Sequence, residues 1–462
     1  MRALRWAATG AVCLLAAGCA QGTGSQEGSA PAFDPEATVS GRLQVMGFGA
    51  GDEIATTRLD RAKKALPGVD VQLVEGDLDI QAFLSAVAAG DPPDLVYANR
   101  DQIGTFASRG AVIPLDECYT AEKIDEDALR DAAVAQVTFG GSLYGVPEFN
   151  SVQLTMANAD LLQGAGLSID DVNGSDWARV TAATKALSKR DGKKVEVIGY
   201  DSKLPEFLPL WAKANGADLL SEDGRTAQID DPAVVEALTF AVGVYDAQGG
   251  FSAVKATRDA ADFFGEGNQF ATDALGAMPM EQWYLNVLGE VTPKAPMAFD
   301  TFRTPQGETL AYATGSAWAI PAGSKNPQAA CRFAASMVSA DSWLAAAQAR
   351  ADARAKDGLA FTGVLTANEK ADEQIRSQLV DVTQEPWASG VEAMYDANEH
   401  TFSLPANPAD SEFKAAWQDA VNRVLNGQAE PEAALAQAQQ VAQAALDKAW
   451  AVWDGRTAPA SS

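Results

Sequence analysis

The chain has 462 residues, 47% of them hydrophobic, with 35 Lys and Arg against 62 Asp and Glu for a formal net charge of −27. That length exceeds one hydrophobic core and predicts two or three domains, while the acidic balance repels phosphate backbones and excludes nucleic acid as a partner. The single histidine, His400, excludes His-rich metal sites and Ser-His-Asp chemistry, and neither a metal nor a cofactor is expected.

Arg2 and Arg5 precede an apolar, Ala-rich run over 7–17. The run is too short to cross a bilayer and reads as a secretory signal over 1–18. Leu15-Ala16-Ala17-Gly18-Cys19 resembles a bacterial lipobox, with Ala16 where Leu is commoner. In that motif cleavage falls before the cysteine and its sulfur is acylated. Cys19 is therefore the expected lipidation site and the only expected hold on the membrane. Residues 19–38 are rich in Gly, Ser and Pro, bury too little to fold, and read as a tether. No later stretch approaches the ~20 apolar residues of a membrane helix. With Cys13 and Cys19 in the signal, Cys118 and Cys331 remain. Outside the membrane they favour one disulfide, with two buried free thiols as the alternative.

A strand over 39–46 carries Leu43 and Val45 in alternation, and a helix follows over 53–66 until Pro67-Gly68 stops it. A strand over 69–75 comes next. Then Ile80, Phe83, Leu84 and Val87 mark an amphipathic helix, and a third strand runs over 94–97. This βαβαβ order predicts a parallel sheet covered by helices. The loop Gly47-Phe48-Gly49-Ala50-Gly51-Asp52 fails as a dinucleotide fingerprint, because Asp52 stands where glycine is required. Its charge also opposes phosphate at the helix N-terminus. The loop is expected to bring backbone amides to a neutral polar ligand.

Residues 145–150 read as a crossing, because a second α/β pattern begins after them. It has strands over 154–158 and 195–200 with a helix over 177–187 between them. Further helices are expected over 205–214, 232–248, 341–353, 412–425 and 432–453. Leu435, Ala438, Ala442, Leu446, Trp450 and Trp453 repeat at helical spacing and read as core, as do Trp343 and Trp417.

Several segments together resemble the extracellular solute-binding proteins of ABC importers, in their sugar-binding, maltose-binding-protein-like cluster and of actinobacterial lipoprotein type. They are Gly90-Asp91-Pro92-Pro93-Asp94-Leu95 at the end of 83–95, Gly110-Ala111-Val112-Ile113-Pro114-Leu115-Asp116, and Tyr144-Gly145-Val146-Pro147 at the end of 140–147. Asn158-Ala159-Asp160-Leu161-Leu162, Asn215-Gly216-Ala217-Asp218, Thr314-Gly315-Ser316-Ala317-Trp318 and Leu425-Asn426-Gly427 complete the set. The resemblance implies a two-lobed, periplasmic-binding-protein-like α/β fold. Each lobe would be a mainly parallel sheet flanked by helices, and a multi-crossing hinge would join them. Residues 39–148 with 313–375 would form the first lobe, and 149–312 with 376–456 the second, leaving 457–462 as a tail. A small carbohydrate would bind in the cleft, the lobes would close over it, and a membrane permease would recognise the closed monomer.

The same resemblance nominates site residues. Loops after first-lobe strands supply Phe48, Asp52, Asp77, Asn99 and Arg100, and the crossing supplies Glu148 and Asn150. Trp211, Glu281, Gln282 and Trp283 come from the second lobe, Ser316 from the re-entry into the first, and Trp387 from a late loop. It also sets Cys118 and Cys331 in the first lobe, where a bridge would not cross the cleft. Two other functions share these features. A secreted carbohydrate-active enzyme would need two carboxylates about 5–10 Å apart, for which Asp77, Glu148 and Glu281 are the candidates. A protein presenting its ligand to a sensor would have the same fold.

Overall fold

The computed structural model describes residues 33–457. The signal segment, Cys19, most of the tether and the last five residues lie outside the described residues. Ten strands position the site: β1 (Gly41–Met46), β2 (Val69–Val74), β3 (Leu95–Asn99), β4 (Val146–Ser151), β5 (Gln153–Asn158), β6 (Lys189–Asp191), β7 (Lys194–Tyr200), β8 (Leu275–Glu281), β9 (Met297–Thr301) and β10 (Thr314–Ala319). They form two five-stranded sheets, in the orders β2-β1-β3-β10-β4 and β9-β5-β8-β7-β6. The helices that matter here are α1 (Glu53–Ala65), α2 (Ile80–Ala88), α3 (Asp116–Glu122), α4 (Leu208–Ala214), α5 (Trp283–Val291), α6 (Pro327–Val338), α7 (Ala340–Lys356), α8 (Glu369–Leu379), α9 (Trp387–Glu399), α10 (Asp410–Leu425) and α11 (Pro431–Thr457).

The local chemistry explains the first units. In β1 the alternation buries Leu43 and Val45. Asp52 then caps α1, its Oδ1 accepting from the Ala55 amide at 2.8 Å, and Ile54, Ala55, Leu59 and Ala62 line the buried face. Gly47 holds φ at +92°, and a Cβ there would fall 2.3 Å from the Tyr97 carbonyl oxygen. The glycine is thus needed for β1 to pass close to β3, which is a packing role rather than a ligand role.

The expectation of mainly parallel sheets holds for the βαβαβ unit, where β1 pairs in parallel with β2 and β3, and for β7 beside β8. The remaining pairs, β10 with β3 and β4, β5 with β8 and β9, and β6 with β7, are antiparallel. Parallel neighbours need a crossover that returns the chain to the same end of the sheet. β4, β5, β9 and β10 are joined instead by passages between sheets, which impose no such return. Only Val152 separates β4 in the first sheet from β5 in the second.

Residues 33–38, assigned by composition to the tether, are held. The Asp34 amide donates to Gln328 Oε1 at 2.7 Å, and Arg332 donates to the Pro35 and Ala37 carbonyls at 2.8 and 3.2 Å. Two side chains on α6 supply the donors and acceptor that composition does not reveal. On the same helix, Cys331 is joined to Cys118 of α3, with Cα atoms 5.8 Å apart. Both cysteines are fully buried.

A buried polar chain runs through the crossing. Arg100 Nη2 donates to Asn150 Oδ1 at 2.7 Å, Asn150 Nδ2 to Asn398 Oδ1 at 2.6 Å, and Asn398 Nδ2 to Asp372 Oδ2 at 2.8 Å. Arg130 closes it, its Nη2 lying 3.0 Å from the same Asp372 oxygen and its Nη1 donating to the Asn398 carbonyl at 2.8 Å. The chain ties β4, α8 and α9 to the segments that carry Arg100 and Arg130. Asn150, Asn398, Asp372 and Arg130 are each partnered within it, while Arg100 Nε and Nη1 are buried without a partner among the described residues.

Candidate functional site

Two recesses lie between the elements of the first and second sheets, and they meet at Phe149 on β4. The first, of about 510 Å³, is lined by the α1 entry, by Tyr97 and Glu148, by α5, and by Trp343, Arg350 and Arg354 on α7. Its charged groups are largely committed to each other. Glu148, 1% exposed, accepts from the Arg58 guanidinium and from the Tyr97 hydroxyl. Burial, with Glu148 second, pushes the Tyr97 phenol well above its usual range. Asp52 Oδ2 accepts from Arg350 at 2.8 Å, and Arg354 pairs with Glu290 at 3.2 Å. The Arg58 guanidinium carbon sits 3.7 Å over the Trp343 ring. What remains for a ligand is the half-buried indole of Trp283, parallel to Phe264 at a centroid distance of 6.1 Å.

The second recess, of about 350 Å³, has the opposite character. Asn99, Asp101, Ser316 and Gln136 come from one side, Glu206, Phe207 and Glu281 from the other, with Lys414, Trp417 and Gln418 of α10 beside them. Several of its polar atoms are buried without a partner among the described residues: Asp101 Oδ1, Gln136 Oε1 and Trp417 Nε1. A buried polar atom left unpaired costs about 1–3 kcal/mol. Burial raises the Glu281 carboxyl above its ordinary value, with nearby Lys203 pulling it back and Glu206 adding to the rise. Gly315 lets the wall form, because a Cβ there would lie 2.0 Å from the Phe149 carbonyl oxygen and 2.9 Å from the Arg100 guanidinium.

The nominated residues divide accordingly. Asp52, Glu148, Gln282 and Trp283 border the first recess; Asn99, Glu281 and Ser316 border the second. Six others belong to neither. Phe48 is core, 5.4 Å from Tyr97 and 5.1 Å from Trp318 between ring centroids, because the turn after β1 folds its side chain under the sheet. Trp211 is fully buried, donates to the Ser202 carbonyl at 2.9 Å, and packs on Phe240 and Phe302, since that face of α4 points inward. Arg100 and Asn150 are spent in the polar chain of the crossing. Asp77 is exposed in the turn after β2 and borders neither recess. Trp387 packs on Phe299 and donates to the Pro293 carbonyl at 3.3 Å.

Sequence reasoning missed Arg58, Tyr97, Gln136, Glu206 and Lys414, and named Asp101 only as part of the cleft loop Asn99-Arg100-Asp101. Glu206 was within reach: it follows β7, as the nominated first-lobe residues follow their strands. Asp101 stands beside the nominated Arg100. Trp343 and Trp417 are core as expected, yet each also borders a recess. Helical spacing identifies the buried side of a helix but not what lies at the edge of that side.

The chain matches the bacterial extracellular solute-binding protein family over residues 52–342, well over half its length. The chain belongs to that family. A lipoprotein of Streptomyces antibioticus, uncharacterized and encoded in the oleD 5′ region, is 29% identical over 168 residues. That match covers 36% of this solute-binding protein and 34% of the relative, about a third of the relative's length. Among solved structures, CpMnBP1 with mannotriose bound superposes with a TM-score of 0.68 at 23% identity, covering 87% of this chain and all of that one. The sugar-binding protein MalE of Xanthomonas citri gives 0.68 at 17%, covering 89% and 99%. The GacH receptor of Streptomyces glaucescens, solved without ligand and with acarbose, gives 0.67 at 18%, covering 88% and 99%. At these identities the likeness is one of fold: a two-lobed α/β protein with its cleft between the sheets.

Proposed function

We propose that this chain is the substrate-binding lipoprotein of an ABC importer and that it captures a saccharide in the cleft without transforming it. One observation carries the reading: the second recess sets polar side chains that make no side-chain hydrogen bond among the described residues, Asn99, Glu206 and Gln418, beside the aromatic side chains of Phe207, Tyr312 and Trp417. A sugar offers hydroxyls at its edge and flat CH faces, and so uses both kinds of group. The ligand extends past Phe149, where Trp283 provides a platform. Structural relatives solved with mannotriose and with acarbose bound support the same class of ligand. Hydrolysis is less well supported. Of the three carboxylates it would recruit, Asp77 borders neither recess, Glu148 is held by Arg58 and Tyr97, and Glu281 stands in the other recess.

A thermal-shift screen with mono- to trisaccharides tests this. A ligand at 100 times its Kd adds about 2.7 kcal/mol of stability. Trp283→Ala is expected to weaken trisaccharide binding by about 1–3 kcal/mol while the protein stays folded. Turnover of a polysaccharide, with no stabilisation by any saccharide, would overturn the reading.

The anchor is part of the proposal. Acylation of Cys19 would hold the chain at the outer face of the membrane, where it meets a permease. Cell fractionation is expected to find the protein with membranes and a Cys19→Ser chain in the medium. A Cys19→Ser chain that still sediments with membranes would sink the lipobox reading.

A further inference from the structure

We infer that Phe264 is a further ligand-binding residue, whose ring carries one more unit of a linear oligosaccharide outside the first recess, beyond the unit on Trp283. The inference rests on the saccharide reading above and narrows its class to chains longer than the recesses hold. Phe264 is 64% exposed, the most exposed large apolar side chain among the described residues and the only aromatic one so open. A lone exposed phenylalanine is ordinary on a protein surface. This one lies within 16° of parallel to Trp283, with ring centroids 6.1 Å apart. Trp283 borders the first recess and Phe264 borders neither, so the pair leads out of the cleft.

Nearly parallel rings at this distance pack as an offset pair. An offset pair shows its faces as successive steps, suited to consecutive units of one chain, rather than as a slot that grips a single unit. The step at Phe264 is also held in place. Its neighbour Phe263 stacks on Tyr284 with centroids 4.2 Å apart, and the Tyr284 hydroxyl donates to the Phe263 carbonyl at 2.9 Å. Asn268 Nδ2 donates to the Gly265 carbonyl and to Thr292 Oγ1, both at 3.0 Å, and pins the other side of the turn. A ring presented on a fixed turn loses little freedom when a ligand covers it. The cation of this cluster, Lys203, lies over Phe263, 5.8 Å from the centroid, and leaves Phe264 to the CH face of a sugar.

Titration calorimetry with oligomers of two to five units tests this, in α-1,4-glucose, β-1,4-glucose and β-1,4-mannose series. In a series that binds, the added unit that reaches Phe264 is expected to tighten binding by about five- to tenfold. In Phe264→Ala that step should vanish, so that long and short oligomers converge in affinity, and Phe264→Trp should restore it. A loss equal at every length would place Phe264 in lobe closure or in support of Trp283 and would overturn the inference. A step that survives in Phe264→Ala would overturn it as well, and either result leaves the saccharide reading standing. No binding by any of the oligomers would overturn both.

Discussion

Replacing both bridged cysteines, C118A/C331A, is expected to lower the unfolding free energy by up to about 5 kcal/mol. The bridge joins residues 213 apart in sequence. Closing so long a loop removes much of the freedom of the unfolded chain, and the chain-entropy relation gives about 5 kcal/mol, with typical measured values of 2–4. Alanine suits the test because both sulfurs are fully buried and a serine hydroxyl would add an unpaired polar group. The bridge joins α3 to α6, and neither cysteine borders a recess. Ligand affinity of the folded variant should therefore be unchanged. Denaturant unfolding without reductant measures the loss. A variant as stable as the parent would show that the native contacts of α3 and α6 alone hold these segments.

Arg130→Ala is expected to cost about 3–5 kcal/mol, because it strands the Asp372 carboxylate in the interior. Arg130 is 4% exposed and reaches Asp372, the Asn398 carbonyl and Glu399 together. Burial pushes the Asp372 carboxyl up to about 7, with Arg130 and the hydrogen bonds from Thr366 pulling it back. A carboxyl raised above its unfolded value of ~4 contributes stability in full below that value, and loses it as pH rises through the folded value. Without Arg130 the folded value moves higher still. The deficit of the variant should therefore be small near pH 5 and grow steadily as pH rises above 7, by about 1.4 kcal/mol per pH unit until the variant's own carboxyl has ionised. Thermal unfolding across that range checks it; a deficit independent of pH would place the loss in packing instead of charge.

The sequence by itself determined the targeting segment as an expectation, the first βαβαβ unit, the strands near 154–158 and 195–200 with the helix between them, and the family likeness, because these depend on neighbours close along the chain; the strands Leu275–Glu281, Met297–Thr301 and Thr314–Ala319 it did not foresee. Trp177–Leu187 begins and ends as its pattern predicts, and the stripe from Leu435 to Trp450 is buried, while Trp453, expected as core, is only half-buried. It did not determine which polar residues are available to a ligand. Glu148 and Asn150 look equally suited two positions apart on one strand, yet Glu148 borders a recess and Asn150 is bonded to Arg100 and Asn398. Trp211 and Trp283 both look like platforms, and only the inward face of α4 distinguishes them. Tertiary structure decided these cases. A side chain's freedom to bind depends on partners 50, 131 or 248 positions away, as in Arg100–Asn150, Ser151–Gln282 and Asn150–Asn398, and no local pattern encodes them.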